Sequence, residues 1–245
     1  MLCVNGITFN MGLAHSPSII SDGLVFYLDA ANRRSYSGSG NTANGLVGGI
    51  GGTLVNGVGF TSSNNGLFSF DGTNDYINIA TDVLDIGTSN FSVSVWFKTN
   101  AAQNQSLLAN QVNNGWNGFN FGINSFGNLT PTVDWGSSQQ YGALQSASTY
   151  NDNVWRLATF VMNGATVSNW KLYINGVQVS APLEGTSVST ISGSGISNVI
   201  PLTIGYRTAG SYFSGQIGVT KIYNRTLSEQ EILQNYNATR KRFGL

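Results

Sequence analysis

Short alternating segments divided by Gly, Asn and Ser dominate the chain. In Phe91-Ser-Val-Ser-Val-Trp-Phe-Lys98, the residues Phe91, Val93, Val95 and Phe97 share one face and Ser92, Ser94, Trp96 and Lys98 the other. That period of two is the mark of a half-buried strand. Trp155, Leu157 and Val161 share one face of the segment ending at Met162, and Trp170, Leu172 and Ile174 share one face of the next. The chain then passes through Asn175-Gly176 and resumes as Val177-Gln-Val179. An Asn-Gly pair between apolar runs predicts a hairpin, because both turn positions take positive φ. Leu24 to Asp29, Leu67 to Phe70, Tyr76 to Ile79, Phe119 to Ile123, Leu202 to Tyr206 and Ile217 to Tyr223 read as further strands. About ten short strands separated by turn signals predict an all-β sandwich.

One helix is predicted, near the end. Ser228-Glu-Gln-Glu231 is a capping box, Leu227 and Ile232 occupy the staple positions, and Ile232, Leu233 and Tyr236 form a narrow apolar stripe. Arg240, Lys241 and Arg242 follow, where the helix dipole favours cations; that role is preferred here to contact with an anionic partner. Residues 36–66 and 183–199, rich in Gly, Ser, Asn and Thr, read as long loops on the sandwich. Residues 1–21 differ: Met11, Leu13, Ile19 and Ile20 are apolar without a period, and Pro17 interrupts them. The expected organisation is an N-terminal docking arm over 1–21, a sandwich over 22–225, and a helix with a basic tail over 226–245 packed on it.

Composition narrows the function. Eleven Lys and Arg balance eleven Asp and Glu, and charged residues make up 9% of the chain, against about 25% in an average soluble domain. Nucleic acid is not an expected partner, since phosphate neutralisation needs clustered cations. Near-zero charge favours self-association, because little repulsion separates copies. The single cysteine, Cys3, and the single histidine, His15, exclude an intrachain disulfide and zinc sites built from Cys and His clusters. No apolar run approaches the ~18 residues of a membrane span, and the N-terminus lacks the positive region of a signal peptide. The chain therefore reads as made and assembled in a cytoplasm, with no membrane partner.

Five phrases occur in order: Asp22-Gly-Leu-Val-Phe-Tyr-Leu-Asp-Ala-Ala-Asn32, Ser69-Phe-Asp-Gly-Thr-Asn-Asp-Tyr-Ile77, Phe91-Ser-Val-Ser-Val-Trp-Phe97, Trp170-Lys-Leu-Tyr-Ile-Asn-Gly176 and Gly215-Gln-Ile-Gly-Val-Thr-Lys-Ile-Tyr-Asn-Arg-Thr-Leu-Ser228. Together they resemble a laminin-G-like domain of the concanavalin A-like lectin/glucanase superfamily, over about residues 22–240. The ending from Glu231 to Leu245 is similar to the endings of such domains in structural proteins of tailed bacteriophages. The resemblance implies a two-sheet antiparallel jelly roll in which Leu24 to Asp29 lies beside Ile217 to Tyr223. Both segments are apolar enough for mid-sheet positions.

The superfamily includes lectins, hydrolases and structural modules, so fold does not decide function. Glycoside hydrolysis usually needs two facing carboxylates. The three glutamates, Glu184, Glu229 and Glu231, fit no Glu-x-Asp-x-x-Glu pattern, and no enzyme is expected. For sugar binding the candidates are Trp116, Asn117, Asn120, Asp134, Trp135 and Tyr141, between Gly-rich turns; for each tryptophan a core or packing role is preferred to sugar contact, since sandwiches need large aromatics. Asp71-Gly-Thr-Asn-Asp75 could offer Asp71, Asn74 and Asp75 to calcium, or form an ordinary turn in which Asx side chains bond their own backbone; the turn is preferred. The resemblance and composition point to a structural protein of a tailed-phage virion, a head decoration or appendage. Its expected partners are other virion proteins and copies of itself in a homo-oligomer. The alternative is a lectin-like adhesion module for host surface glycans.

Overall fold

Alternation does build two sheets, but one of them is covered on both sides. The computed structural model describes residues 17–79, 88–111, 118–136, 141–193, 195–196, 201–208 and 210–245, with the backbone of 3–4 and 7–8. In chain order the strands are β1 (Cys3–Val4), β2 (Ile7–Thr8), β3 (Leu24–Asp29), β4 (Thr42–Asn44), β5 (Gly51–Val55), β6 (Gly59–Thr61), β7 (Leu67–Asp71), β8 (Tyr76–Ile79), β9 (Phe91–Lys98), β10 (Gln105–Gln111) and β11 (Gly118–Ile123). There follow β12 (Leu129–Asp134), β13 (Tyr141–Ala143), β14 (Arg156–Met162), β15 (Lys171–Ile174), β16 (Val177–Val179), β17 (Leu202–Ile204), β18 (Tyr206–Arg207), β19 (Ser211–Tyr212), β20 (Ser214–Tyr223) and the helix α1 (Glu229–Thr239). Every pairing between them is antiparallel.

One sheet runs β13-β12-β11-β10-β17-β8-β5-β4 and the other β16-β15-β14-β9-β20-β7-β6. β20 is the organising strand of the second sheet. One edge pairs with β9, and the other is shared between β7 at its start and β3 at its end. The expected junction of first and last strands is observed, with Val219 opposite Asp29 and Ile222 opposite Phe26. Between the sheets, Phe91, Val93, Val95, Phe97, Phe160 and Leu172 meet Ile77, Leu108, Phe119, Phe121 and Val133. Phe119 lies edge-on to Phe91 at 5.1 Å and stacks on Phe160 at 5.7 Å, geometries that add to plain burial.

The half-buried reading of Phe91 to Lys98 is corrected by α1 and the 3-10 turn Arg240–Phe243 that follows it, which form a third layer. Trp96, 0% exposed, stacks on Phe243 at 4.1 Å and donates from Nε1 to Thr239 Oγ1 at 2.9 Å. Trp155 and Leu157 face this layer too. The capping box forms: Glu231 N donates to Ser228 Oγ, and Ser228 N donates to Glu231 Oε2 at 2.8 Å. Leu227 and Ile232 pack together on Tyr223. Leu233, assigned to the buried stripe, is instead exposed, and Asn235 is buried. Asn235 can occupy that place because it is satisfied: its Oδ1 accepts from Ile20 N at 2.9 Å and its Nδ2 donates to Tyr223 Oη at 3.1 Å.

Residues 36–66 are not one long loop, since they contain β4, β5 and β6. These are short strands towards the sheet edges, where little apolar alternation is needed. β10 and β12 were also not predicted: a bulge at Leu107 sends both Leu107 and Leu108 into the core, and Pro131 interrupts the pattern of β12. Ser18 to Ile20 are tied to the domain's own helix. Gln234 Nε2 donates to Ser18 O and Tyr223 Oη to Ile20 O. His15 and residues 9–14 lie outside the described residues.

Candidate functional site

On β11 the alternation points Phe119, Phe121 and Ile123 into the core, so Asn120 and Gly122 face outward. Register then aligns outward residues across the sheet: Ala109 beside Asn120, Asn120 beside Thr132, and Thr132 beside Ala143. Of these, Asn120, Thr132 and Ala143 line a groove of about 440 Å³ on the outer face of the β13-to-β4 sheet. Gly122 and Asn120 form its floor. A Cβ on Gly122 would come within 2.7 Å of Asn120 Nδ2 and 3.0 Å of Thr130 Oγ1, so glycine keeps the floor open. Ser106 donates to Asn120 Oδ1 at 2.7 Å, which fixes the amide and leaves Nδ2 as the donor above Gly122.

One wall carries Tyr141, Gln145 and Glu184, and the other Arg207 and Ser211 from the β18–β19 ribbon. Tyr141 Oη bonds to Glu184 Oε2 at 3.2 Å and closely to Thr186 Oγ1. Asn124 Nδ2 donates to Gln145 Oε1 at 3.4 Å. Glu184 is the one carboxylate among the described lining residues, and Arg207 the one cation. Burial pushes the Arg207 guanidinium below the usual arginine range. The groove therefore offers hydrogen-bond donors and acceptors of both kinds around a charge at each wall, and does not place two carboxylates opposite each other.

The sugar-binding candidates separate. Asn120 and Tyr141 line the groove. Asp134 lies in the same strand register as Tyr141 but is 0% exposed. Its Oδ1 accepts from Gly136 N at 2.7 Å, and burial raises its carboxyl above the usual range. Trp135 packs in the core between the sheets at 5% exposure, the packing role preferred for it on sequence, and so drops out of the sugar-binding candidates. Trp116 and Asn117 lie outside the described residues. Sequence reasoning missed Gly122, Thr130, Thr132, Glu184 and Arg207. The polar half of the β11 alternation was the available signal for the floor; nothing local marked Arg207.

The Asp71 turn does not fit a calcium cage. Asp71 Oδ1 accepts from Thr73 N at 2.8 Å and Asn74 N at 3.2 Å, and Asp75 Oδ2 accepts from Asp71 N. The bond from Thr73 holds the Asp71 carboxyl below the usual range, while burial raises that of Asp75. These oxygens serve the turn's own amides, whereas calcium needs six to eight converging oxygens. Among the described residues no group of three His, Cys, Asp or Glu converges as a metal site, and no helix is long and apolar enough to cross a membrane.

Two antiparallel sheets packed face to face, with the outer face of one hollowed into a polar groove, define a jelly-roll domain. The chain belongs to the concanavalin A-like lectin/glucanases superfamily, whose family model matches residues 71–233. Among solved structures, the binding domain of Paraclostridial Mosquitocidal Protein 1 superposes with a TM-score of 0.66 at 18% identity, over 88% of this chain and 52% of that one. The binding domain of Botulinum Neurotoxin DC in complex with SialylT gives 0.65 at 14% identity, over 89% and 52%. A Trypanosoma rangeli sialidase in complex with 2,3-difluorosialic acid gives 0.64 at 13%, over 90% and 34%. The chain thus spans about half the length of the two toxin binding domains and a third of the sialidase. A comparison with curated protein sequences finds no match.

Proposed function

We propose that this chain is a glycan-binding adhesion module, acting by recognition and not by catalysis, with its ligand in the outer-face groove. The observation that carries this reading is the groove itself: an open floor kept by Gly122, flanked by amide, hydroxyl, carboxylate and guanidinium groups. Such groups match the hydroxyls of a sugar, and a floor built on paired strands holds them in place before the ligand arrives. Phe126, 77% exposed, sits in the turn that begins at the groove residue Asn124 and offers an apolar face for stacking at one end. The structural likeness to a toxin binding domain in complex with SialylT supports the same reading. Glu184 alone on the wall lacks the second facing carboxylate that sugar hydrolysis uses. If the chain is carried on a phage particle, as its C-terminal phrase suggests, the module serves attachment to the host surface, and mass spectrometry of purified particles tests that setting.

The test is a glycan array probed with the full chain, followed by calorimetry on the best ligand. Thr132→Trp, which obstructs the floor from the neighbouring strand, should abolish binding while thermal melting changes little, and Gly122→Val, which fills the floor by displacing the Asn120 amide, should abolish binding with a lower but still cooperative melt. Binding that survives both folded variants places the ligand elsewhere, and an array without any bound glycan overturns the reading.

A further inference from the structure

We propose that the glycan carries an anionic substituent, and that Arg207 is the residue that recognises it; this rests on the groove being the glycan site. The argument starts from how the arginines are used. Arg156 pairs with Asp152, Arg225 with Asp22 and Glu231, and Arg242 with Asp29. Arg33, Arg34 and Arg240 are exposed to water. Arg207 is partly buried, lines the groove, and makes no side-chain hydrogen bond or ion pair with any described residue.

A guanidinium removed from water without a counter-charge costs free energy, and the local backbone does nothing to let it escape. Thr203 Oγ1 lies 2.6 Å from Tyr206 O and 3.0 Å from Ala109 O, its one proton available to either carbonyl, and Thr208 Oγ1 donates to Gln111 O at 2.8 Å. Gln103 Nε2 donates to Tyr212 O at 3.1 Å. Tyr206 stacks on Tyr212 at 4.6 Å and lies 5.1 Å from Tyr76. The ribbon is therefore fastened to β10 and held by three aromatic rings, and Arg207 is carried at a set place on the groove wall. An anionic ligand group offsets the desolvation cost that the unliganded protein bears, and a planar fork of N–H donors matches a carboxylate or a sulfate ester in the same way.

The opposite wall gives the ligand a direction. Glu184, held by the Tyr141 hydroxyl, repels an anion and accepts from sugar hydroxyls. The acidic group therefore lies toward the ribbon, and the neutral part of the ring lies toward β13. With a net charge of zero, the chain as a whole does not draw in anions, so discrimination is local to this site.

The experiment is calorimetric titration of the full chain with matched oligosaccharide pairs: an oligouronate against its neutral methyl ester, and a sulfated galactan oligomer against its desulfated form. The native chain should bind at least one acidic member about tenfold or more tightly than its neutral partner, the scale of one charge-assisted hydrogen-bond pair, and the advantage should shrink with added salt. The preferred pair names the substituent. Arg207→Gln should cost the acidic ligand several-fold more affinity than its neutral partner and so erase the acidic advantage, in a chain that melts no lower than the native one, and Arg207→Lys should keep part of the preference. Equal binding of acidic and neutral members by the native chain overturns the anion assignment while the glycan reading stands. So does an Arg207→Gln variant that loses both ligands equally. Absence of all glycan binding overturns the glycan reading itself, and this proposal with it.

Discussion

Arg242 joins the end of the chain to its first long strand, and removing it should be expensive. Its Nη1 lies 2.5 Å from Asp29 Oδ1, its Nε donates to Asn64 O at 2.6 Å, and its Nη2 donates to Gly66 O. The two charged side chains are 13% and 14% exposed. Asp29 keeps a donor on each oxygen, Ala31 N on Oδ1 and Tyr27 Oη on Oδ2, but Arg242→Ala removes its counter-charge and the guanidinium donors to two carbonyls. Breaking a buried ion pair by truncating one partner costs about 3–5 kcal/mol. The residual exposure admits water to the orphaned groups, so we take the low end, about 3 kcal/mol. At roughly 2–4 °C per kcal/mol for a chain of this size, the melting temperature should fall by about 6–12 °C. Urea unfolding followed by tryptophan fluorescence measures the change directly, because Trp96 and Trp155 lie against Phe243 in the layer next to this clasp. Lys241→Ala, one residue away and exposed, should stay within about 0.5 kcal/mol of the native chain. A loss below about 1 kcal/mol for Arg242→Ala would show that the pair is no better than a surface salt bridge and refute the argument.

Lys221 is fully buried, its Nζ has no hydrogen-bond partner among the described residues, and burial pushes its pKa down to about 8. The unfolded chain holds that proton up to its ordinary pKa of about 10.4, so stability should rise with pH between about 8 and 10. Above that window it should fall, because burial raises the hydroxyls of Tyr27 and Tyr223 and the unfolded chain then loses those protons first. Lys221→Met should remove the rise and stabilise the protein at neutral pH, and a flat native profile in urea titrations from pH 8 to 10 would sink this account. Trp135→Ala should cost about 3–5 kcal/mol while folded protein at low temperature retains ligand binding on an array; a nearly unchanged melting curve would return Trp135 to the surface. A chain starting at Ser21 loses Ser18 and Ile20 from α1 and leaves Asn235 and Tyr223 short of partners; it should unfold about 1–3 kcal/mol more easily than the native chain, and equal urea midpoints would refute that.

The strands legible in the sequence were those whose two faces meet different surroundings along a stretch of regular pairing. Phe91 to Phe97, Trp170 to Ile174 and Ile217 to Tyr223 alternate because one face of each packs between the sheets. The Ser228 capping box is local as well, since its two bonds span three residues. From these the sandwich and the helix start could be read, whereas the junction of first and last strands was implied by the resemblance to laminin-G-like domains. β10 escaped notice because its bulge breaks the period at Leu107, and β4 to β6 because short strands of Gly, Thr and Asn resemble loops.

The sequence also could not say what lies against each face. Trp96 alternates with the core positions of its strand and Trp135 stands between Asp134 and Gly136, yet both are buried, one by the C-terminal layer and the other between the sheets. Nothing near Arg207 in the chain marks it as a groove residue: it shares a groove with Asn120 only because β10, β11 and the β18–β19 ribbon come together in space. Side-chain alternation is set by backbone geometry between adjacent residues. The cover over a face, and hence the cost of leaving a charge there unpaired, is set by segments that approach from a hundred or more positions away.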